Sequence, residues 1–109
     1  MTDTILVLGQ SFPAVATLTT LYTVPMGTSA TISSIMVCNT TGLGDSFRVS
    51  VAPGGAGDTL SQYIYYNLPM DANDTFMATL GMTLAATDVV RVYSSGGNLA
   101  FSLFGVQLT

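Results

Sequence analysis

The chain contains no lysine, glutamate, histidine or tryptophan, and only one cysteine, Cys38. Each absence closes a class of function. Arg48 and Arg91 are the only bases against six aspartates, giving a formal net charge of −4. Two cations cannot neutralise a row of phosphates, which excludes nucleic-acid binding through the backbone and adhesion to an anionic membrane surface. Without His or Glu, and with a single thiol, the usual general bases, zinc sets and thiol–imidazole pairs cannot be built from one chain, and an enzyme would need a site that shares Asp71 or Asp74 from several protomers. No catalytic residue, metal site or cofactor is therefore predicted. No apolar run approaches the roughly 18 residues of a membrane span. Met1-Thr2-Asp3-Thr4 places an acid where a signal peptide needs bases, and the apolar run from Ile5 to Leu8 is too short for a signal core. The chain reads as one made and folded in a reducing cytosol, with Cys38 a buried small hydrophobe.

What is present is apolar and small. The 109 residues are enough for one domain, with 49% hydrophobic and 7% charged residues. Ordinary globular chains carry about 25% charged residues. The hydrophobic fraction argues against disorder, and the polar surface falls to Thr, Ser, Asn, Gln and Gly.

The periodicity is that of strands. Phe47, Val49 and Val51 alternate with Arg48 and Ser50, and Phe76, Ala78, Leu80, Met82 and Leu84 alternate with Thr75, Met77, Thr79, Gly81 and Thr83, which leaves Met77, like Tyr63 and Tyr65, a candidate for burial against another subunit. Gly-, Pro-, Asn- and Asp-rich turns divide the chain into seven strands near residues 15–24, 29–38, 46–52, 60–68, 75–83, 88–94 and 98–108. A segment near residues 4–8 makes an eighth. The fold class is all-β: an antiparallel two-sheet sandwich or jelly roll of seven to eight strands. Residues 1–13 form an N-terminal arm or edge strand, and residues 14–109 a single β-sandwich domain. The alternation changes phase between Ile32 and Ile35 and again between Leu103 and Phe104, which predicts a bulge or sheet crossing at each place. Phe47, Ile64, Phe76, Leu80, Val92 and Phe101 are the expected core.

Several local patterns have structural readings. Asp71, Asn73 and Asp74 suit a turn better than a calcium loop or a hydrolytic carboxylate pair, because no terminal Glu follows. Gly54-Gly55-Ala56-Gly57 lacks the Lys of a phosphate cradle and reads as a loop. The sequons Asn39-Thr40-Thr41 and Asn73-Asp74-Thr75 are ascribed to chance. In Tyr63-Ile64-Tyr65-Tyr66, strict alternation puts Tyr63 and Tyr65 together on one face, with Ile64 and Tyr66 on the other; the pair packs on the sheet within the protomer, or serves a partner subunit or a sugar. Arg48 and Arg91 lie in mid-strand among apolar neighbours and are expected to pair with Asp, within the protomer or across a contact. Ile5, Leu6, Val7 and Leu8 would be an aggregation-prone edge if left alone, so they too are interface candidates. Removal of residues 1–12 is expected to leave the sandwich folded.

The run Leu21-Tyr22-Thr23-Val24-Pro25-Met26-Gly27-Thr28-Ser29-Ala30, with Phe47-Arg48-Val49-Ser50-Val51-Ala52-Pro53-Gly54-Gly55, resembles small structural proteins of tailed bacteriophages. Ile32-Ser33-Ser34-Ile35 with Val37-Cys38-Asn39, Tyr63-Ile64-Tyr65-Tyr66-Asn67-Leu68-Pro69, Asn73-Asp74-Thr75-Phe76, Leu84-Ala85-Ala86-Thr87-Asp88-Val89-Val90 and Asn98-Leu99-Ala100-Phe101 extend the similarity over residues 20–108. The resemblance implies a non-enzymatic virion structural protein, foremost a capsid decoration or cement subunit on the outer surface of the particle. It further implies a homo-oligomer, a trimer above other states, seated on the major capsid protein or another virion protein and made in the cytoplasm of a bacterial host. Tail, neck or fibre association, with contact to host glycans, is the alternative.

Overall fold

The computed structural model describes residues 3–109, so Met1 and Thr2 of the N-terminal segment lie outside the described residues. Eight strands follow in order: β1 (Asp3–Ser11), β2 (Thr19–Thr23), β3 (Ser29–Asn39), β4 (Asp45–Ala52), β5 (Tyr63–Met70), β6 (Thr75–Leu84), β7 (Val89–Ser94) and β8 (Leu99–Leu108). Two short 3-10 turns, Pro53–Gly55 and Leu60–Gln62, interrupt the connection from β4 to β5. The first sheet has the order β1-β8-β3-β6 and the second the order β2-β7-β4-β5. All pairings are antiparallel, and they nest: β1 with β8, β2 with β7, β3 with β6, β4 with β5. The contacts β3·β8 and β4·β7 then close each sheet. A long hairpin rolled on itself in this way is a jelly roll.

The two inner faces meet on an aromatic centre. Phe47 of β4 and Phe101 of β8 are fully buried with ring centroids 6.1 Å apart, and Phe76 and Tyr65 pack against Phe47 at 5.3 and 6.0 Å. Ile32, Ile35, Val49, Val92, Leu99 and Leu103 complete the buried set. Each such side chain stabilises the fold by about 1.5–3 kcal/mol relative to exposure. Ile64, expected in the core, is 41% exposed. Asn67 adopts a left-handed φ of 54°, and the β4·β5 register slips on either side of Val49, each time with an extra residue in β5. The slips turn Tyr65 inward and Ile64 outward.

The phase change expected in β3 is present, with Ser33 as the extra residue: Ile32 faces Gly105 and Ser34 faces Phe104. The change expected in β8 is absent. Leu99, Phe101, Leu103 and Gly105 all point inward without interruption, while Phe104 and Val106 point outward and are half-buried. The neighbours of β8 absorb the mismatch instead. At the same level β1 carries an extra residue, Leu8, opposite the Leu103–Phe104 step, and β6 carries one against β3 between Thr79 and Met82. The Ser33 hydroxyl donates to the Phe104 carbonyl at 3.1 Å. A line of bulges thus crosses the first sheet and bends it.

Residues 13–18 are irregular, and β2 starts at Thr19 instead of near residue 15. Ala16, with a φ of 50°, turns the chain there and its N–H donates to the Ser94 carbonyl at 2.9 Å. Cys38 faces outward on β3 and is exposed, because Val37 and Asn39 take the inward positions. β1 is a paired strand of nine residues on the edge of the first sheet, so its removal would strip the hydrogen bonds from one side of β8.

Gly105 occupies an inward position beside the bulge, where a Cβ would lie 2.2 Å from the Thr31 carbonyl oxygen and 3.0 Å from Leu8 Cδ1. The Gly105→Ala variant is therefore expected to lose about 1–3 kcal/mol in urea unfolding. Gly42→Ala, where a Cβ meets nothing within 4 Å, is expected to stay close to wild type.

Candidate functional site

The loops at both ends of the sandwich are built on saturated polar side chains, Asp45 and Asn39 at one end and Asp88 at the other. The Asp45 carboxylate accepts hydrogen bonds from the Ser46, Gly96 and Asn98 N–H groups at 2.7, 2.8 and 3.2 Å and from the Ser94 hydroxyl at 2.8 Å. Burial raises its pKa, but the hydrogen bond from Ser94 and those from the backbone outweigh this and hold it below the ordinary 3.8. Asn39 is buried, donates to the Leu43 and Asp71 carbonyls, and accepts from the N–H and hydroxyl of Thr41. Asp88 accepts from the Gly54 and Ala85 N–H groups. An open depression beside Asp45 is lined by Gly44, Ser46, Pro69, Met70, Ser95 and Gly96. Its carboxylate is committed to the chain's own turns, which leaves the depression without an acid or base free for chemistry. Among the described residues no three His, Cys, Asp or Glu side chains come together as a metal cage, and no helix is long and apolar enough to cross a membrane.

The outer face of the second sheet gathers the two arginines and most of the tyrosines. The Arg48 guanidinium carbon lies 4.4 Å from the Tyr66 ring centroid and 4.3 Å from that of Tyr93, while its Nε–H donates to Asn67 Oδ1 at 2.7 Å. Arg91 donates to the Ala56 and Gly55 carbonyls at 2.8 and 3.2 Å, pinning the loop 53–62. The expected Asp partners are not found for either arginine among the described residues. An amide oxygen takes the Arg48 Nε–H and carbonyl oxygens take N–H groups of Arg91, and two ring faces supply Arg48 with the negative potential that a carboxylate would have supplied.

The expected face-sharing of Tyr63 and Tyr65 is also overturned. The bulges in β5 put Tyr63 beside Tyr66, with ring centroids 5.0 Å apart, and send Tyr65 against Phe47 and Phe76. Burial, together with the Asp58 carboxylate that accepts its hydroxyl proton at 2.8 Å, raises the Tyr63 pKa, and Arg48 opposes this.

The outer face of the first sheet is different in kind. Ile5 and Val7 of β1 point outward, 84% and 48% exposed, opposite Val106 and Phe104 of β8. Leu6, on the opposite phase and paired with Gly105, is half-buried, and Leu8 packs on the core, so the four-residue run divides between two environments. Met36 stands between Met77 and Ser102 on the same outer face, with Met77 66% exposed. Met36, Phe104, Val106 and Leu108 are not among the interface residues expected from sequence. For the three residues of β8 the signal was an apolar residue at each even position from 104 to 108, a pattern that reads equally well as a bulge.

No family model matches the chain, and no curated protein sequence matches it. Solved structures do. A chain in the structure of the infectious bursal disease virus Gx strain aligns with TM-score 0.55 and 13% identity over 97% of this chain and 32% of that one. A chain of the T13 viral particle of the same virus aligns with TM-score 0.57 and 13% identity over 96% and 30%. The catalytic domain of Agl-KA aligns at TM-score 0.39 and 16% identity over 89% and 20%, too slight a likeness to argue from. The chain spans about a third of the length of the viral chains, and at these identities the similarity is one of fold.

Arg48→Lys keeps the charge but loses the planar stack between Tyr66 and Tyr93, and is expected to lower stability by about 0.5–1 kcal/mol. Equal unfolding midpoints for variant and wild type would show that the two rings contribute nothing. Because the folded-state pKa of Asp45 is depressed, its contribution is complete above about pH 4 and is lost as pH falls through the folded value. Asp45→Asn is expected to reduce stability at neutral pH and to flatten that part of the acid limb in thermal melts.

Proposed function

We propose that the protein is a non-enzymatic structural component of a virus particle, a jelly-roll subunit that packs against neighbours in many copies. The observation that carries this reading is the division of its polar groups. Asp45, Asp88 and Asn39 are consumed by the protein's own turns, while a broad sheet face is left uncharged. Such a face has little desolvation cost on contact, and repetition multiplies a modest contact through avidity. The fold shared with chains of an icosahedral viral particle supports the same setting.

The resemblance to tailed-phage structural proteins narrows the proposal to a decoration or cement subunit on the outer surface of a bacteriophage head. There it would be a homo-oligomer, a trimer on that resemblance, bound to the major capsid protein after synthesis in the host cytoplasm. A second reading, a tail-, neck- or fibre-associated subunit touching host glycans, is favoured by one observation. Tyr66 is half exposed beside Arg48 and Asn67, and a flat ring flanked by polar groups suits a sugar.

Antibody labelling of intact particles, followed by stripping of the subunit, tests both. Head labelling and lower resistance of stripped heads to heat and osmotic shock are the expected results. Tail labelling with glycan binding would select the second reading, and absence of the protein from purified particles would overturn both.

A further inference from the structure

We infer that the outer face of the β1-β8-β3-β6 sheet is the docking surface for a second copy of this chain. The inference deepens the structural-subunit reading and rests on it for the expectation of many copies. Its physical basis is a contrast between the two sheets. The second sheet covers much of its own outer face: the loop 53–62 is tied to Arg91, and Arg48 lies between two tyrosine rings. No segment of the chain is tied across the first sheet in this way among the described residues. Its outer face presents Ile5, Val7, Phe104, Val106, Met36 and Met77.

Charge and area both select the occupant. Among the residues of the four strands of this sheet the only charged one is Asp3, at the start of the edge strand β1. The face offers a charged partner no opposite charge and would leave that partner's ions desolvated. A surface equally poor in charge is required, and the same face of another copy is one; such a pairing is two-fold and gives a dimer, where the phage resemblance implies a trimer. Four strands ~4.8 Å apart, each about ten residues long at ~3.3 Å per residue, give a flat footprint of roughly 630 Å². Side-chain relief brings that near the ~800 Å² per partner of a standard specific interface. Two twisted sheets of this kind pack face to face in the same manner as the layers within the protomer.

Sedimentation of the full-length protein, alone and with purified heads, tests the inference. The wild type is expected to be an oligomer, and Ile5→Asp and Met77→Asp, both at exposed positions, to shift it to monomer without changing the far-ultraviolet circular dichroism or the cooperative melt. Thr20→Asp, an exposed position on the other sheet, is expected to leave the oligomer intact. Cys38 lies on the docking face, so its alkylation by a maleimide is expected to be about tenfold or more slower in the oligomer than in the monomeric variants. A monomeric wild type, or folded Asp variants that retain the oligomer, would overturn the inference. A monomer that binds heads, and loses that binding in Ile5→Asp, also overturns it, since the occupant is then the shell, while the virion reading stands. An oligomer dissolved by Ile5→Asp in a protein absent from particles keeps the inference and removes the virion reading.

Discussion

Ile32 and Ile35 both face the core although three positions separate them, and much of the rest of the structure depends on how that is arranged. In an unbroken strand one of the two would point to solvent. Ser33 removes the conflict by standing outside the ladder, and the hydrogen bond from its hydroxyl to Phe104 fixes the place. Because β8 carries no extra residue, β1 must insert Leu8 at the same level, and β6 must add one of its own against β3. Leu8 then drops toward the space that Gly105 leaves empty. One backbone irregularity is thus shared across four strands, and the bend it produces lets a single sheet wrap the aromatic centre.

The scarcity of charge has a structural counterpart in the way polar groups are used. Asp45, Asp88 and Asn39 each satisfy N–H or carbonyl groups in two separate loops, tying turns that are distant in sequence. A carboxylate accepting several backbone donors stabilises a turn without needing a cation. The two arginines work in a similar way, through carbonyl oxygens and ring faces. The net charge of −4 therefore sits mostly in loops, and the sheets remain close to neutral.

The sequence was most legible where side chains alternate without interruption. In β4 and β6 the period-two pattern gives the inward faces directly, and the phase break in β3 marks its bulge. Legibility fails where the backbone departs from the extended conformation without an apolar signal. Nothing in Tyr63-Ile64-Tyr65-Tyr66 announces that Asn67 will be left-handed, so alternation assigns Tyr65 and Ile64 to the wrong faces. The pairing of Arg48 with two rings was hidden for a different reason. Tyr93 and Tyr66 come from β7 and β5 on either side of β4, and only the strand order brings them together. In β8, apolar residues on both faces mimic a change of phase, because one face serves the core and the other lies open.

The nested pairing also has a kinetic meaning. Loop closure costs more entropy as the enclosed chain lengthens, so β4 and β5, joined by the short 53–62 connection, are the least costly pair to close. Each outer pair encloses the one inside it, and β1 with β8 encloses them all. A rolled hairpin of this kind has a high contact order and folds slowly from the inside outward. During that interval the edge of β8 waits for a strand that a neighbouring nascent chain can also supply. Where two chains fold side by side, strand exchange is therefore within reach, with the first strand as the piece that is traded.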